Sequence, residues 1–425
     1  QDALALLDPV ESRDDMAGLL ILIAENQLNL GDPQEAETYL LRARELGADT
    51  GGEIDFVQAR LLLRTGHIDE GIRLLEMKHT QEIDLKVIRP QRFHREAALL
   101  LSLFYAFKGD LEHSEYYARL GISVGEHLGS VFVQSVGMMR LGHPLSMDPV
   151  LSFLGDNYPR AIELYNEAIA KVNVARIHVE PLWGISRALG FSGHIAEARE
   201  QARFGLEIAN NAGDEWIGLL IRLSLGAAEL VAGNYSNAQT VLTEAEALAI
   251  KVRDLFSLCA ARIWLALNAW QQGYNNSAMI YVKKCLPLVQ EHHYEYLLTR
   301  ITLLGFPHPA IVIPLLLEAR RLDLHNTLLN SLLTDLKVVA TEYHPGFSLS
   351  IQTLGGFKVL RGFQPIEKED WKREKARQLL QVLVANKDRW LNREQITAYL
   401  WPEADPETGS NNFKVVLNTL NQVLE

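Results

Sequence analysis

The segments Gly193-His194-Ile195-Ala196-Glu197-Ala198, Gly233-Asn234-Tyr235-Ser236-Asn237-Ala238 and Gly273-Tyr274-Asn275-Asn276-Ser277-Ala278 share one form. A glycine is followed, five positions on, by alanine, and the three stand 40 residues apart. A looser version recurs at Gly31, Gly66, Gly109 and Gly155, which makes seven, with intervals of 35, 43, 46, 38, 40 and 40. A period of this length signals stacked supersecondary units. Small residues keep register with the glycine. Ala24, Ala59, Ser102, Ser186, Gly226 and Ala266 stand seven before it; Ala36, Gly71, Ser114, Ala198, Ala238 and Ala278 stand five after; Ala43, Gly121, Gly205, Ala245 and Cys285 stand twelve after. Apolar residues flank these anchors at helical spacing, as in Leu219, Ile221, Leu223 and Leu225 before Gly233, and Val241, Leu242, Ala245 and Leu248 after it. The glycine supplies the positive φ that ends a first helix, and the small residues let a second helix lie against it. Such hairpins cannot bury both faces alone, so they stack into a superhelix with a concave surface.

The fourth unit departs from the rest. Pro149 shortens its first helix, and Gly142-His143-Pro144 predicts a kink or sub-domain break just before it. From Pro287 to His344 the pattern stays helical (Tyr294 to Leu304, Ala310 to Leu322, Leu328 to Val339) but loses the glycine, as a capping or docking region would. This repeat resembles the tetratricopeptide repeat, and its long period is similar to that of the sensor region of MalT-like signal-transducing ATPases. The resemblance implies a surface that senses a protein partner or small-molecule effector.

At His344-Pro345-Gly346 the texture changes. Phe347, Leu349, Ile351 and Leu354, then Phe357, Val359 and Leu360, punctuated by Gly355-Gly356 and Gly362, predict short antiparallel strands. An amphipathic helix follows from Lys372 to about Asn386. Asn392 with Gln395 forms a capping box for a short helix that stops before Pro402, and a last helix runs from about Ser410 to Leu424. The expected organisation is therefore mostly α: a tetratricopeptide-like α-solenoid over 1–286, a helical cap or linker over 287–346, and a small α+β winged-helix domain over 347–425.

The blocks Trp371-Lys372-Arg373-Glu374-Lys375-Ala376-Arg377, Asn392-Arg393-Glu394-Gln395-Ile396 and Tyr399-Leu400-Trp401-Pro402, in that order, resemble the bacterial transcriptional activator domain of SARP-type regulators, whose fold is similar to that of OmpR. That likeness implies a DNA-binding activator. On the last helix Asn411, Val415, Asn418 and Gln422 lie opposite Phe413, Leu417 and Leu420, where they would face base edges. Lys372, Arg373, Lys375, Arg377, Arg393 and Lys414 are the candidates for phosphate. The resemblance implies that the acidic loop holding Glu403, Asp405 and Glu407 contacts RNA polymerase. Asn421 stands where the family usually has arginine, and Glu425 where its β-hairpin wing would follow.

Charge supports this division. The net charge of −12 argues against a generic nucleic-acid binder. From Gly346 onward, however, 11 basic and 10 acidic residues leave +1, and the rest of the chain holds −13. Two cysteines, Cys259 and Cys285, are too few for a disulfide framework and read as core residues in a reducing, cytoplasmic setting. No phosphate loop, nucleophile elbow or zinc-protease motif occurs, so the expectation is a non-enzyme with no cofactor in this chain. Glu291, His292, His293 and Glu295 read as a solvated face, and Trp183, Phe191, Trp264 and Trp270 as packing. No apolar run is long enough for a membrane span. The opening Gln1-Asp2-Ala3-Leu4 suggests the C-terminal part of a longer bacterial regulator whose upstream NTPase is implied only by the resemblance. The expected function is signal-dependent transcription regulation on double-stranded DNA; the alternative is a protein-interaction scaffold whose winged helix does not bind DNA.

Overall fold

All seven repeat glycines take φ between 71° and 90° in the computed structural model, which describes residues 13–47, 52–79, 92–338, 340–362 and 364–424. Each turns one helix into the next. The hairpins are α1 (Arg13–Asn29) with α2 (Pro33–Glu45), α3 (Glu53–Arg64) with α4 (Ile68–His79), and α5 (Arg92–Lys108) with α6 (Leu111–His127). In the fourth, α7 (Val131–Met147) is followed by a short α8 (Pro149–Leu154) and then α9 (Asn157–Lys171). Three regular ones complete the array: α10 (Ala175–Phe191) with α11 (Ile195–Ala212), α12 (Glu215–Val231) with α13 (Tyr235–Val252), and α14 (Leu255–Gln271) with α15 (Asn275–His292). The molecule is mostly α, a tetratricopeptide-like solenoid followed by a small α+β unit.

The small-residue register is the packing code. Ala24, Ala36, Ala59, Ala198, Ala238, Ala245, Ala266, Ala278 and Cys285 are all fully buried. Where serine replaces alanine, its hydroxyl finds a carbonyl across the hairpin: Ser102 Oγ donates to Ser114 O at 2.8 Å, and Ser114 Oγ to Ser102 O at 2.9 Å. At Gly71 a Cβ would fall 2.1 Å from Phe104 Cζ, so glycine here makes room for an aromatic ring.

The turns between hairpins follow a second register. Gly213, Arg253 and His293, again 40 apart, all take left-handed φ (68°, 58° and 56°). Asp214 and Asp254 follow the first two and cap α12 and α14, accepting from Ile217 N and Ser257 N. Non-glycine residues fill two of these three positions, which hides the pattern from a search for glycine.

The array winds until its start meets its end. Gly31 packs beside Glu215 and Val252. Gly66 lies against α14: a Cβ there would stand 2.5 Å from Phe256 N, while Tyr294 Oη donates to Gly66 O at 2.8 Å. Leu255 N donates to Thr65 O at 3.2 Å. Gly109 meets Ile301, whose carbonyl a Cβ would approach to 2.5 Å. Holding the first of these junctions, Arg64 donates to both Asp214 carboxylate oxygens, at 3.1 and 2.9 Å, and to Leu28 O at 2.6 Å, with its guanidinium 5.0 Å from the Trp216 ring. Breaking a buried pair of this kind costs about 3–5 kcal/mol.

Three expectations are corrected. Gly142-His143-Pro144 does not break the chain, because α7 runs through it to Met147. The division at residue 287 falls inside α15; beyond it α16 (Glu295–Thr299), α17 (Ile313–Arg321) and α18 (Asn326–Asp335) bury Leu297, Leu298, Leu315, Leu316, Leu329 and Leu332 in the same core as the hairpins. The helix expected from Tyr294 to Leu304 ends at Thr299, where the chain turns to meet the third hairpin and Leu303 N donates to Ala106 O. The expected helix end at Val339 and the last residue, Glu425, lie outside the described residues.

The chain divides into two units, Gln1–Ala340 and Thr341–Glu425. In the second, β1 (Leu349–Gln352), β2 (Lys358–Arg361) and β3 (Gln364–Pro365) form an antiparallel sheet in sequence order, Ile351 opposite Val359. Then come α19 (Glu374–Ala385), α20 (Arg393–Leu400) and α21 (Pro406–Leu424). The Asn392–Gln395 capping box is present in both directions. Val359, Trp371, Leu379, Ile396, Leu400, Val416 and Leu420 form the core of this unit.

Two glycine substitutions separate closure from turn chemistry. Gly233 faces open space, so Gly233→Ala is expected to cost about 1–2 kcal/mol for its left-handed φ alone. Gly66→Ala adds a collision with the Phe256 backbone and is expected to cost clearly more in chemical denaturation. Equal losses would mean that the junction does not hold.

Candidate functional site

The first helices of the hairpins line the inside of the solenoid, and between them lies a groove of about 820 Å³. Cavities of roughly 300–1,000 Å³ suit small molecules and short segments. Its walls come from α1, α3, α5, α7, α10 and α12, with the end of α11. Leu22, Phe132 and Val174 stand 57%, 49% and 49% exposed in this lining, so the groove presents apolar surface to its contents. Guanidiniums punctuate it. Arg60 pairs with Glu25 and donates to Asn29 Oδ1 at 3.2 Å; Arg64 is held by Asp214; Arg176, half-exposed, lies 3.8 Å from the same Asp214.

Arg140 sits deeper, beside a buried polar network. Glu180 Oε1 is 3.0 Å from Arg140 Nη1 and 2.9 Å from His143 Nε2. His143 Nδ1 lies 2.8 Å from Tyr165 Oη. Burial raises the pKa of Tyr165, so the phenol keeps its proton and donates to Nδ1. Burial also lowers the pKa of His143, leaving Nε2–H to donate to the carboxylate. Glu180 stays ionised: burial pushes its pKa up, but Arg140 and the hydrogen bond from His143 together bring it below the ordinary value. The Tyr165 ring wedges between Gly142 and Gly184, where a Cβ would stand 2.4 and 2.3 Å from ring carbons. Gly142 is thus a seat for an aromatic ring rather than a hinge.

No reading of the sequence placed Arg60, Arg64, Arg140, Arg176 or Glu180 in a site. The available signal was a charged residue inside an otherwise apolar first helix, as in Leu61-Leu62-Leu63-Arg64 and Met138-Met139-Arg140. The aromatic residues pack instead. Trp183 Nε1 donates to Ser224 Oγ and Trp264 Nε1 to Leu304 O, both from full burial, and Phe191 stacks on Trp264. Cys259 and Cys285 are buried free thiols facing each other at 2.9 Å. Among the described residues no cluster of His, Cys, Asp and Glu has a metal-holding arrangement, and no helix is long and apolar enough to cross a membrane.

In the second unit Asn411, Val415, Asn418 and Gln422 form one exposed stripe along α21, with Lys414 exposed beside it. Arg393 Nη1 donates to Ser410 Oγ at 3.2 Å, which brings the start of α20 to the head of that stripe. Lys372 and Arg373 are exposed ahead of α19. Two phosphate candidates, Lys375 and Arg377, are half-buried and have internal partners. Lys375 Nζ donates to Leu400 O at 2.7 Å and lies over Trp401; Arg377 Nη2 donates to Phe357 O at 3.3 Å and lies over that ring. The acidic loop is shorter than expected because α21 begins at Pro406. Asp405 caps it, accepting from Glu407 N at 3.1 Å and Thr408 N at 2.9 Å, while Glu403 and Glu407 stay exposed.

Tyr165→Phe removes the donor to a fully buried imidazole nitrogen and is expected to destabilise the solenoid by about 1–3 kcal/mol. Because the fold holds His143 neutral, its contribution is present above the ordinary imidazole pKa of 6.5 and is lost as pH falls below it. Denaturation at neutral and mildly acidic pH checks this, with a smaller pH slope expected in His143→Gln.

No protein-family model matches the chain, and no curated protein sequence does. Among solved structures it is similar to a Rap protein complexed with competence and sporulation factor, at 10% identity and a TM-score of 0.48, over 77% of this chain and 95% of that one. It is similar to the apo form of RapI at 12% identity and a TM-score of 0.42, over 67% and 96%. A signal transduction ATPase with a tetratricopeptide repeat sensor from Pyrococcus horikoshii matches at 13% identity and 0.38, over 76% of this chain and 47% of that one.

Proposed function

We propose that this chain is a signal-dependent transcription regulator, in which the solenoid groove takes an effector and the second unit, a winged helix, reads double-stranded DNA. The observation that carries the reading is the stripe Asn411, Val415, Asn418 and Gln422, exposed along the full length of α21 with Arg393 and Lys414 beside it. Asparagine and glutamine can pair bidentately with adenine, and valine can meet a thymine methyl. Lys372, Arg373, Arg393 and Lys414 are the basic groups left for phosphate once Lys375 and Arg377 are set aside. The +1 charge from Gly346 onward, against −13 before it, directs an anionic polymer to this unit. Glu403 and Glu407 remain for a contact with RNA polymerase. Effector and DNA are coupled by linkage, so each changes the affinity of the other by the same factor.

A second reading, a protein-interaction scaffold, rests on the apolar surface of the same unit. Trp390 is wholly exposed and Tyr399 largely so, as suits a protein-binding face.

DNA selected from a random pool against the full chain decides between them. Asn418→Ala is expected to lose about 1–3 kcal/mol of binding and to relax sequence preference at one position. Lys414→Ala is expected to weaken all sequences alike and to lower the salt slope by about 1. Binding that is absent, or indifferent to both changes and to salt, favours the scaffold.

A further inference from the structure

Among the described residues, the network behind the groove is short of one negative charge. Arg140 and Arg187 are both buried guanidiniums, yet among the described residues Glu180 is the one carboxylate that pairs with either of them. His143, held neutral, adds no charge. Arg187 bonds to neutral groups, with Nη1 donating to Ser146 Oγ at 3.1 Å and Nη2 to Thr302 O at 3.4 Å. Tyr158 and Tyr165, the other titratable groups bearing on it, keep their protons because burial raises their pKa. Glu180 is already shared with His143. Arg140 is left short of partners: Nη1 has the ion pair with Glu180 but no aligned hydrogen bond, and Nε has no hydrogen-bond partner, although both are buried. A buried charge without a full set of partners is costly, and this one belongs to the wall of the groove.

We infer that the groove takes a ligand with a single carboxylate on an apolar body, the carboxylate accepting from the guanidinium of Arg140. The inference rests on the groove being the effector site and names the class of effector. A monoanion matches the one missing charge, whereas a phosphate monoester carries about −1.5 to −2. Guanidinium donors fit a carboxylate's paired oxygens. The body follows from the lining: Leu22, Phe132, Val136, Met139 and Val174 line the same groove as Arg140. Arg176 supplies a second, half-exposed cation in the same groove, one helical turn before Glu180.

Octanoate, its neutral isostere octanamide, and inorganic phosphate serve as probes, titrated calorimetrically into the full chain. Octanoate is expected to bind at least about tenfold more tightly than octanamide, as a charge-assisted pair to a buried guanidinium should. Phosphate at the same concentration should not displace it. Arg140→Met is expected to erase the preference. Should that variant fail to fold, as its thermal transition would reveal, Arg140→Lys keeps the charge without the planar guanidinium fork and is expected to reduce the preference several-fold at an unchanged Tm. Leu22→Ser should weaken octanoate and octanamide alike. Equal binding of the two, or a preference that survives both Arg140 variants, overturns the inference. Displacement of octanoate by phosphate overturns it too, by assigning the subsite to phosphate. Loss of the octanoate preference in a chain that still binds DNA rejects the ligand class alone, and an octanoate preference in a chain that binds no DNA rejects the regulator and leaves the ligand class standing.

Discussion

The junction at Arg64 and Asp214 decides what kind of solenoid this is. Repeat arrays ordinarily have only nearest-neighbour contacts, so their stability is a sum of local terms. Here a bidentate ion pair joins the second hairpin to the start of the sixth, and Gly66 and Gly109 press backbone against backbone at the next two turns. The consequence is a defined inner space. A groove between helices that merely stack could open and flatten, whereas this one has its second and sixth hairpins fixed to each other. Asp214 serves three purposes at once, capping α12, pairing with Arg64 and lying near Arg176 in the groove wall. Shape and charge of the groove therefore share one residue.

Much of this architecture was legible in the residues. The glycine-and-alanine register found all seven hairpins because the constraint it reports, a positive φ and a close helix contact, is local. The capping box at Asn392 and the strand pattern around Gly355-Gly356 are local too, and both appear where the chain predicts them. What escaped was set at a distance. Nothing in Gly66 distinguishes it from Gly233, yet one is packed against Phe256 and the other faces open space. Arg253 and His293 take the left-handed turn that Gly213 takes, so a pattern written in glycine misses two of three.

The site divides along the same line. The outer stripe of α21 follows from helical periodicity, and all four of its residues are exposed. Arg140, Glu180 and Arg187 could be noticed as charges in apolar helices, but their shared environment depends on the coiling of the array. Lys375 and Arg377 are basic residues near a helix start whose partners, Leu400 O and Phe357 O, are set by the packing of the unit. Composition locates charge along the chain, and only packing says which charges remain to meet a ligand.

Closure also bears on how such a chain is made. Arg64 leaves the ribosome 150 residues before Asp214, and Gly66 leaves it 228 residues before the tyrosine that donates to it. An open array could settle hairpin by hairpin as it emerges. In this one the first three hairpins wait, with Arg64 unpaired and their tips uncovered, until most of the solenoid has been synthesised. Contacts so far apart in sequence slow folding and prolong the exposure of sticky intermediates. Truncation anywhere before α12 therefore strands the N-terminal hairpins without their partner.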